Sequence, residues 1–331
     1  MRARHTRRFA LCALVVGAAA CVVPAARGAA IQCGANITTS TTLKADVGPC
    51  PSDGLIVTAD NVKLDLGGHR VFGSTAVGDG VGITVQSSHG VLVTHGTISN
   101  FDAGALISQG SGNSITNIDA VANVGLSGTT DFGDGILISS STSNVIKENN
   151  VRSNGPFSGI SVIGAGSFGN KISKNTVQDN DVASNATENN DVGIRLEAGT
   201  GTTTLKRNVV SFSGLDGIAI FQNSTGNVLI ENTVKFNGFH DKAHRRGDGI
   251  RVFGQPGPDN NLLKANIAQD NAANGIILSV GATSNVVQKN KATRNGFTEA
   301  ASFDLADLNG GCDQNSWLQN IFATRSQNCV Q

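Results

Sequence analysis

Charged residues are sparse in this chain of 331 residues, in which 25 Lys and Arg balance 25 Asp and Glu to a formal net charge of zero. A nucleic-acid surface or an anionic-membrane patch needs an excess of clustered basic residues. The composition indicates neither, so a partner held by bulk charge is disfavoured. Histidine and methionine are also scarce, at six and one, so few side chains could ligate a soft metal.

Helical and membrane-spanning patterns are missing as well. No window carries a sustained i, i+3, i+4, i+7 apolar stripe, and runs of Ala, Leu, Glu and Lys do not occur. Beyond about residue 30, no apolar stretch approaches the roughly 20 residues that cross a bilayer. Helical repeats are therefore disfavoured, and no membrane span is predicted for the mature chain.

The N-terminal segment has the parts of a secretory leader. Four arginines lie within the first eight residues, an apolar run extends from Phe9 to Val23, and small residues surround Gly28. Arg7-Arg8 fits a twin-arginine signal poorly, and Ala18 to Cys21 fits a lipoprotein box poorly. We predict a signal peptide over residues 1–30 and a soluble secreted or periplasmic protein, with a single domain over residues 31–331.

Two short elements repeat along the mature chain. Asparagines recur every five residues in groups of three, and a Gly-apolar-x-apolar element precedes each group. The groups are Asn144/Asn149/Asn154, Asn170/Asn175/Asn180, Asn227/Asn232/Asn237, Asn261/Asn266/Asn271 and Asn285/Asn290/Asn295, with Thr203/Asn208/Ser213 in the same frame. The preceding elements begin at Gly135, Gly159, Gly193, Gly217, Gly249 and Gly275. Repetition at roughly 20 to 50 residues is typical of a solenoid.

Each repeat contains three short alternating stretches separated by Asn, Gly or Ser. Alternation predicts strands, and those residues tolerate the left-handed backbone of a tight bend. Stacked asparagines can hydrogen-bond from coil to coil, which favours a parallel β-coil with three strands per turn. We expect the asparagines to stabilise the fold and to take no part in chemistry.

Four cysteines remain after the leader, as two pairs of equal spacing at opposite ends of the chain: Cys33/Cys50 and Cys312/Cys329. An even count in an exported chain predicts disulfides, and no Cys-x-x-Cys suggests a metal site. The open ends of a solenoid expose strand edges and core. We therefore predict that each pair closes one end, contributing about 3 kcal/mol in the chain-entropy model.

The opening residues Cys33 to Thr38, then Cys50-Pro51 and the run Leu64 to His69, resemble the first segment of secreted bacterial right-handed parallel β-helix proteins. The Gly-Ile-x-Val and Asn-x-Val repeats are similar to their coils. The resemblance implies an all-β, pectin-lyase-like solenoid of about ten coils, with caps at 31–66 and 303–331. That family contains pectate-lyase-like enzymes, polygalacturonases, alginate epimerases and a copper-site maturation protein, so it implies little about function.

No catalytic signature of these enzymes is intact. A polygalacturonase set needs an adjacent Asp-Asp, and the nearest features are Gly-Asp-Gly at Asp134 and Asp248. The epimerase set needs an Asp-Pro-His motif and a tyrosine, but the chain has no tyrosine. The segment Gly238 to Asp241 matches the epimerase motif only in part. The sequence neither shows nor excludes the clustered calcium-binding carboxylates that pectate lyases need. Because nothing indicates calcium, no cofactor or metal is predicted. A copper-accessory role, such as that of the maturation protein in this family, is disfavoured because histidine and methionine are few.

Segments inserted before alternate strands are predicted to form a wall beside the first sheet. They run from Val124 to Gly133, Asp181 to Asp191 and Gly238 to Gly247. Because coils stack about 4.8 Å apart, insertions in alternate coils emerge about 10 Å from one another.

Strand alternation places one set of useful side chains outward beside this wall. The outward set is Arg195, Glu197, Phe221, Arg251 and Phe253, with Asp191, Asp216 and Asp248 at strand starts. Arginine can grip an acidic or hydroxylated ligand, a phenyl ring can stack on a sugar, and carboxylates can transfer protons. Glu197, Asp216 and Asp248 are candidate acid/base groups for hydrolysis, and Arg195 or Arg251 is a candidate lyase base.

Structural alternatives stand beside these assignments. Asp134, Asp216 and Asp248 could serve only in Asx-type turns, and Arg195 could simply pair with Glu197. A second outward pair, Phe212 and Phe236, is either a sugar platform or a packing stack.

His240 and His244 lie in an inserted loop that we expect to close over the ligand. They could hold a metal only if that loop were helical.

These observations predict a monomeric, exported protein that binds a polysaccharide on its first-sheet groove. The alternative is a carbohydrate-active enzyme, a lyase, glycoside hydrolase or epimerase, that acts in the same groove.

Overall fold

The computed structural model describes residues 30–74, 79–125, 133–180, 191–239, 247–254, 257–297 and 301–331. Residues Ile31–Gln331 form one compact unit. The predicted signal peptide lies outside the described residues except for Ala30. Within those ranges, no helix is long and apolar enough to cross a membrane.

Eleven parallel strands form the first sheet, one from each coil. We number the coils 1 to 11 by these strands: Ala35–Ile37, Leu55–Val57, Val81–Gln86, Ala103–Ser108, Asp134–Ser139, Ser158–Ile163, Val192–Glu197, Ile218–Phe221, Ile250–Phe253, Ile276–Leu278 and Leu305–Asp307. Each strand pairs with its counterparts in the coils before and after it, so the sheet is a single stack.

Two further stacks complete each turn. The second-strand set is Thr41–Thr42, Lys63–Asp65, Leu92–Ser99, Ser114–Val121, Val145–Lys147, Lys171–Ser173, Thr204–Lys206, Val228–Ile230, Leu262–Lys264, Val286–Gln288 and Ser316–Leu318. The third-strand set is Val47–Cys50, Arg70–Gly73, Asn150–Arg152, Thr176–Gln178, Val209–Ser211, Thr233–Lys235, Ile267–Gln269 and Lys291–Thr293. Leu92–Ser99 and Ser114–Val121 run around the corner and belong to both stacks.

The core is a column of aliphatic side chains inside the coil. Ile218 and Ile220 of coil 8 are fully buried, and the parallel register aligns Ile218 with Ile194 below and Ile250 above. Each such side chain contributes about 1.5 to 3 kcal/mol by leaving water. Because every coil supplies the same inward positions, the register of one coil fixes that of the next.

Stacked asparagines, which we call ladders, form hydrogen bonds between successive coils at their corners, as the sequence predicts. Asn232 is fully buried, and its backbone N–H and Nδ2 both donate to Asn266 Oδ1 at 2.9 Å. Its Nδ2 also donates to the carbonyl of Leu205 at 2.9 Å. Two of the three ladders lose their asparagine in coil 7, where Thr203 and Ser213 take its place.

Disulfides close both ends of the stack, which confirms the predicted pairing. Cys33–Cys50 and Cys312–Cys329 have Cα–Cα distances of 5.5 and 6.0 Å. A short 3₁₀ helix, Gly310–Cys312, lies between the first and second strands of the last coil. Beyond the final strand of the first sheet, the backbone N–H of Leu305 donates to the carbonyl of Thr324 at 3.2 Å, so the C-terminal segment covers that edge.

The predicted all-β parallel solenoid is confirmed. The first sheet has eleven strands, close to the predicted ten or so coils.

Candidate functional site

The outer face of the first sheet carries three columns of side chains. Residues that precede the strands form the strand-start column, which includes Asp216, Asp248 and Asn274. The middle column runs through Arg195, Ala219, Arg251 and Ile277, and the end column contains Glu197, Phe221, Phe253, Ser279 and Leu308. The predicted groove residues therefore share one face, and their surroundings decide what each can do.

The strand-start column links successive coils through hydrogen bonds. The backbone N–H of Asp248 donates to Asp216 Oδ1 at 2.9 Å, and that of Asn274 donates to Asp248 Oδ1 at 2.8 Å. Asn274 Oδ1 in turn accepts from the N–H of Phe303 at 2.8 Å. Asp216 and Asp248 thus have a structural role, but the hydrogen bond that each side chain accepts comes from the backbone of the next coil and is not that of an Asx-type turn. Each carboxylate keeps its Oδ2 for another partner.

Both of these Oδ2 atoms approach the guanidinium of Arg251. Arg251 Nη1 lies 3.7 Å from Asp216 Oδ2, and Nε lies 3.9 Å from Asp248 Oδ2. These separations suit an ion pair but exceed hydrogen-bond length. Among the described residues, Arg251 Nε and Asp216 Oδ2 have no hydrogen-bond partner. Arg251 is therefore held near the two carboxylates by charge, at separations longer than a hydrogen bond.

An aromatic ring fixes the plane of the same guanidinium. The Cζ atom of Arg251 lies 4.1 Å from the centroid of the Phe253 ring. The Arg251 side chain is 13% exposed, whereas Phe253 is 38% exposed. A cation over a ring face is stabilised electrostatically, so the pair presents an oriented guanidinium beside an accessible ring.

Burial perturbs the proton affinity of the Asp216 carboxyl in this cluster. Its complete burial raises the pKa of Asp216 to about 7, and the charge of Asp248 adds to the rise while Arg251 opposes it. A group with this pKa changes charge near neutral pH and is suited to proton transfer. Asp216 contacts Asp248 and Arg251 but is not a lining residue of the two cavities described next.

Two adjoining cavities open on this face over coils 9 to 11. The first, of about 270 Å³, is lined by Asp248, Arg251, Ala273, Asn274, Ile277, Ser279, Ala301, Phe303, Ala306 and Leu308. The second, of about 470 Å³, is lined by Gln222, Arg251, Phe253, Gly254, Ser279, Val280 and Leu308. They share Arg251, Ser279 and Leu308, and we call the pair the cleft. The centre of the cleft lies nearer the C-terminal coils than the centre of the predicted groove does.

The expectation that Arg195 and Phe221 face solvent is wrong, since each is only 7% exposed. Arg195 Nε donates to Glu197 Oε2 at 2.7 Å, which confirms their predicted pairing. The Arg195 guanidinium also lies between two rings, with its Cζ atom 4.3 Å from the centroid of Phe157 and 4.7 Å from that of Phe221. Glu197 is engaged by this arginine and lines neither of the two cavities.

The physical reason is a small second apolar cluster outside the coil, formed by Val192, Leu215, Ala219 and Phe221. Sequence alternation correctly turns Phe221 away from the coil interior, but neighbouring apolar residues cover it there. The predicted groove therefore divides in two. Arg251, Phe253 and Asp248 line the cleft, whereas Arg195, Glu197 and Phe221 form a closed cluster.

Asp134 marks a second buried carboxyl at a strand start. It is fully buried and its Oδ1 accepts from Ser161 Oγ at 2.5 Å. Burial raises the pKa of Asp134 well above its usual range. Asp134 is not among the residues that line the cleft, so this Gly-Asp-Gly element differs in surroundings from the one at Asp248.

The predicted loop residues His240 and His244 lie outside the described residues. Within the described ranges, no three His, Cys, Asp or Glu side chains group closely enough to hold a metal ion.

Several cleft residues escape the sequence reasoning, which followed the strands and their first residues. Asn274, Val280 and Leu308 line the cleft but carry no catalytic signature. Phe239 and Phe297 are also missed. Their ring centroids are 6.4 Å apart, and the two side chains are 45% and 62% exposed.

A repeated pattern could have identified these two rings. Both follow a third-ladder asparagine in the sequence Asn-Gly-Phe, at Asn237 and at Asn295. The equivalent position in the coil between them is Ala273, which lines the cleft. The two rings therefore come from the corners on either side of a cleft residue along the stack, although neither ring lines the smaller cavity.

Phe212 and Phe236 favour the packing alternative. Their rings stack with centroids 5.5 Å apart and an interplanar angle of 10°. Since one face of each ring is occupied by the other ring, the pair offers little flat surface to a sugar.

The sequence matches the family described as right handed beta helix region over residues 36–198 and 192–331. The chain belongs to this right-handed β-helix family. The match covers nearly all of the compact unit and confirms the predicted handedness. Among curated proteins, no significant match to the chain was found.

Solved structures show the same fold at low sequence identity. A double mutant of the periplasmic alginate epimerase AlgG is 14% identical with a TM-score of 0.61, over 87% of this chain and 68% of that one. Pectate lyase Pel9A is 11% identical with a TM-score of 0.56, over 84% and 71%. The Dettilon tailspike protein is 20% identical with a TM-score of 0.52, over 77% and 58%. At such identity the likeness establishes the fold, and function has to be argued from the site.

Proposed function

We propose that this β-helix protein binds a polysaccharide in the cleft over coils 9 to 11 of its first sheet. It acts outside the cytoplasm and as a monomer. Two disulfides support an extracytoplasmic location, since such bonds persist in oxidising compartments. Two of the similar structures are named as an alginate epimerase and a pectate lyase, which supports a polysaccharide as the ligand class.

One observation carries this proposal. The guanidinium of Arg251 is stacked on Phe253, has its Nη1 and Nε atoms 3.7 and 3.9 Å from the two carboxylates, and lines both cavities. An oriented guanidinium binds sugar hydroxyls or carboxylates through parallel N–H donors. The exposed ring of Phe253 supplies a face for stacking, and Asp248 supplies an acceptor.

A glycan-array screen with the purified protein tests the function, followed by titration calorimetry on the best ligand. We expect Arg251→Ala to weaken binding at least tenfold, because removal of a desolvated anchor typically costs more than about 1.4 kcal/mol. The matched control is Arg207→Ala, which removes an exposed arginine that pairs with Glu231 away from the cleft. Failure of every glycan to bind, or equal binding by the Arg251 variant, would contradict the proposal.

A second candidate, a carbohydrate-active enzyme, is favoured by one feature. Asp216, whose pKa lies near 7, contacts both Asp248 and Arg251 at the wall of the cleft. Of the acid/base candidates, Asp248 and Arg251 line the smaller cavity, as a proton-transfer group must. Asp248 would transfer the proton in hydrolysis, and Arg251 would be the base in lyase chemistry.

Product analysis separates the two functions. The bound glycan is incubated with the protein and followed by mass spectrometry, with Asp248→Asn as the variant. Shorter or unsaturated products that disappear in the variant would establish an enzyme. Binding without any product would leave the binding function alone.

A further inference from the structure

The end column of the first sheet carries exposed large apolar side chains only near the C-terminal end of the described coils. In coils 4 to 8 its members are Ser108, Ser139, Ile163, Glu197 and the buried Phe221. In coils 9 and 11 the same position holds Phe253 and Leu308, which are 38% and 50% exposed. Val280, which follows the coil-10 member of the column, is 57% exposed. Three large apolar side chains on the same face of the sheet are thus exposed to solvent.

These three side chains line one cavity. The larger part of the cleft, about 470 Å³, has Phe253, Val280 and Leu308 as its apolar wall. It joins the smaller cavity at Arg251 and Ser279, so a polar edge and an apolar wall meet at one place. A concave apolar surface with a few convergent polar groups is the form of a ligand subsite.

We propose that this part of the cleft is a subsite for a sugar unit that carries a methyl-bearing substituent, either an O-acetyl ester or the C6 methyl of a 6-deoxyhexose. The proposal rests on the proposed function, since it names the kind of glycan that the cleft selects. The methyl group contacts Phe253, Val280 and Leu308. Oxygens of the same sugar accept hydrogen bonds from the Arg251 guanidinium and the Ser279 hydroxyl.

The selectivity follows from desolvation. A fully hydroxylated hexose would place a hydroxyl against the apolar wall, where it would lose water without gaining a partner. A methyl group at that position leaves water instead, which is favourable. Loss of one methyl group from an apolar pocket usually lowers affinity by roughly tenfold or more.

A second protein copy fits this surface less well. Specific interfaces bury about 800 Å² on each partner, whereas the apolar wall consists of three side chains set in a concave site. Arg251, Gln222 and Ser279 lie at its border. A sugar unit matches both the dimensions and the mixed character of the cavity.

The test uses two ligand pairs that differ only in the substituent. One pair is the array-selected glycan before and after mild alkaline removal of O-acetyl esters. The other is methyl L-rhamnoside and methyl L-mannoside, in which a C6 methyl replaces a hydroxymethyl group. We expect the methyl-bearing member of at least one pair to bind about tenfold more tightly. Equal affinities within both pairs would overturn the proposal.

Substitutions in the apolar wall test whether its side chains cause the preference for a methyl-bearing ligand. Val280→Ser with Leu308→Ser should weaken binding of the methyl-bearing ligand about tenfold and leave the other member of the pair unchanged. Both positions are half exposed, so folding should be retained, and Leu308→Met should keep the preference. The control is Phe168→Ser, which replaces another exposed apolar side chain outside the cleft.

The outcomes separate this proposal from the one on which it rests. Binding of a glycan without preference overturns the subsite alone, and absence of any glycan binding overturns both. A dimer in solution that dissociates in the Val280/Leu308 double variant would assign the apolar wall to contact between copies, and would also overturn the subsite.

Discussion

Arg195 and Arg251 occupy equivalent positions in the middle column of the first sheet, two coils apart, and each packs beside a phenylalanine of the end column. Arg195 is closed between two rings and hydrogen-bonded to Glu197 at 2.7 Å. Arg251 stacks on one ring, and the carboxylate oxygens of Asp216 and Asp248 lie 3.7 and 3.9 Å from its guanidinium nitrogens. The same strand pattern therefore supports a closed cluster over coils 6 to 8 and an open cleft over coils 9 to 11.

The two regions differ at the residue that precedes the strand-start position. In coils 6 and 8 this residue is Phe157 and Leu215, which pack against the closed cluster, and in coil 7 it is the buried Asp191. In coils 9 and 10 it is Gly247 and Ala273, and Ala273 lines the cleft. A large apolar side chain at this corner thus accompanies the closed face of coils 6 and 8, and a small one accompanies the cleft of coils 9 and 10.

The largest expected effect compares the two phenylalanines of the end column. Phe221→Ala removes a buried ring from the cluster with Leu215 and should lower the free energy of unfolding by about 3 kcal/mol. Phe253→Ala removes an exposed ring and should lower it by less than about 1 kcal/mol, while weakening glycan binding about tenfold. Chemical denaturation and calorimetry give both quantities. Equal losses of stability in the two variants would contradict the division into closed and open regions.

The second prediction concerns a substitution that should close the cleft by placing a large side chain at its corner. Ala273→Leu gives coil 10 the residue that coil 8 has at this position, and its side chain should fill the 270 Å³ cavity. We expect glycan binding to fall about a hundredfold, since the polar groups of Asp248 and Arg251 lose access to ligand. The melting temperature, measured by circular dichroism, checks that the fold is retained.

Ala273→Ser is the matched control, because it changes polarity with little change in volume and should bind nearly as the parent does. A leucine variant that binds glycan normally would show that the ligand does not enter the smaller cavity.

The sequence was sufficient for the coil, the ladders and the disulfides because these depend on patterns that every repeat carries. Asn232 and Asn266 meet because the register is set by inward residues such as Ile218 and Ile250. The surroundings of Phe221 were not predictable in that way. Alternation determines whether a side chain points into or away from the coil, but not which neighbouring residue covers the outer face.

The cleft was partly predictable for a similar reason. Arg251, Phe253 and Asp248 were identified because outward direction and useful chemistry coincide there. Val280 and Leu308 have no distinctive chemistry, and they become a site only through the shared cavity with Arg251.

The buried carboxyl of Asp216, which belongs to coil 8 and approaches Arg251 of the cleft, should make stability depend on pH. Asp216 has a pKa of about 7 in the folded protein against an ordinary value of 3.8. The folded state therefore holds its proton more tightly than the unfolded state, and stability falls as pH rises from about 4 to 7. At about 1.4 kcal/mol for each pH unit, Asp216 should account for a loss of about 2 to 3 kcal/mol between pH 5 and 8.

Asp216→Asn tests this assignment, since the amide oxygen can still accept the N–H of Asp248. Denaturant unfolding at pH 5 and pH 8 should show a smaller pH dependence in the variant. Asp46→Asn is a control, because that carboxyl is exposed and its pKa is lowered by the backbone N–H and guanidinium of Arg70. An unchanged pH dependence in the Asp216 variant would contradict burial of an ionisable group there.

The smallest expected effect concerns the ladder in coil 7, which belongs to the closed region. Ser213 is fully buried, its N–H donates to Asn237 Oδ1 at 3.0 Å, and among the described residues its Oγ has no hydrogen-bond partner. Two coils earlier in the same ladder, Asn154 donates from both its N–H and its Nδ2 to Asn180 Oδ1 of coil 6, at 3.1 and 2.8 Å. Ser213→Asn should extend that pattern, with Asn180 donating to the new side chain and the new Nδ2 donating to Asn237.

The space for this change exists. Ser213 Oγ lies against Gly193 as Asn180 Nδ2 lies against Gly159 in the preceding coil. We expect Ser213→Asn to raise the free energy of unfolding by about 1 kcal/mol, the net value of a buried hydrogen bond. Ser213→Ala separates this gain from mere removal of the unpaired hydroxyl. If the asparagine variant is no more stable than the alanine variant in denaturant unfolding, the ladder does not continue through coil 7.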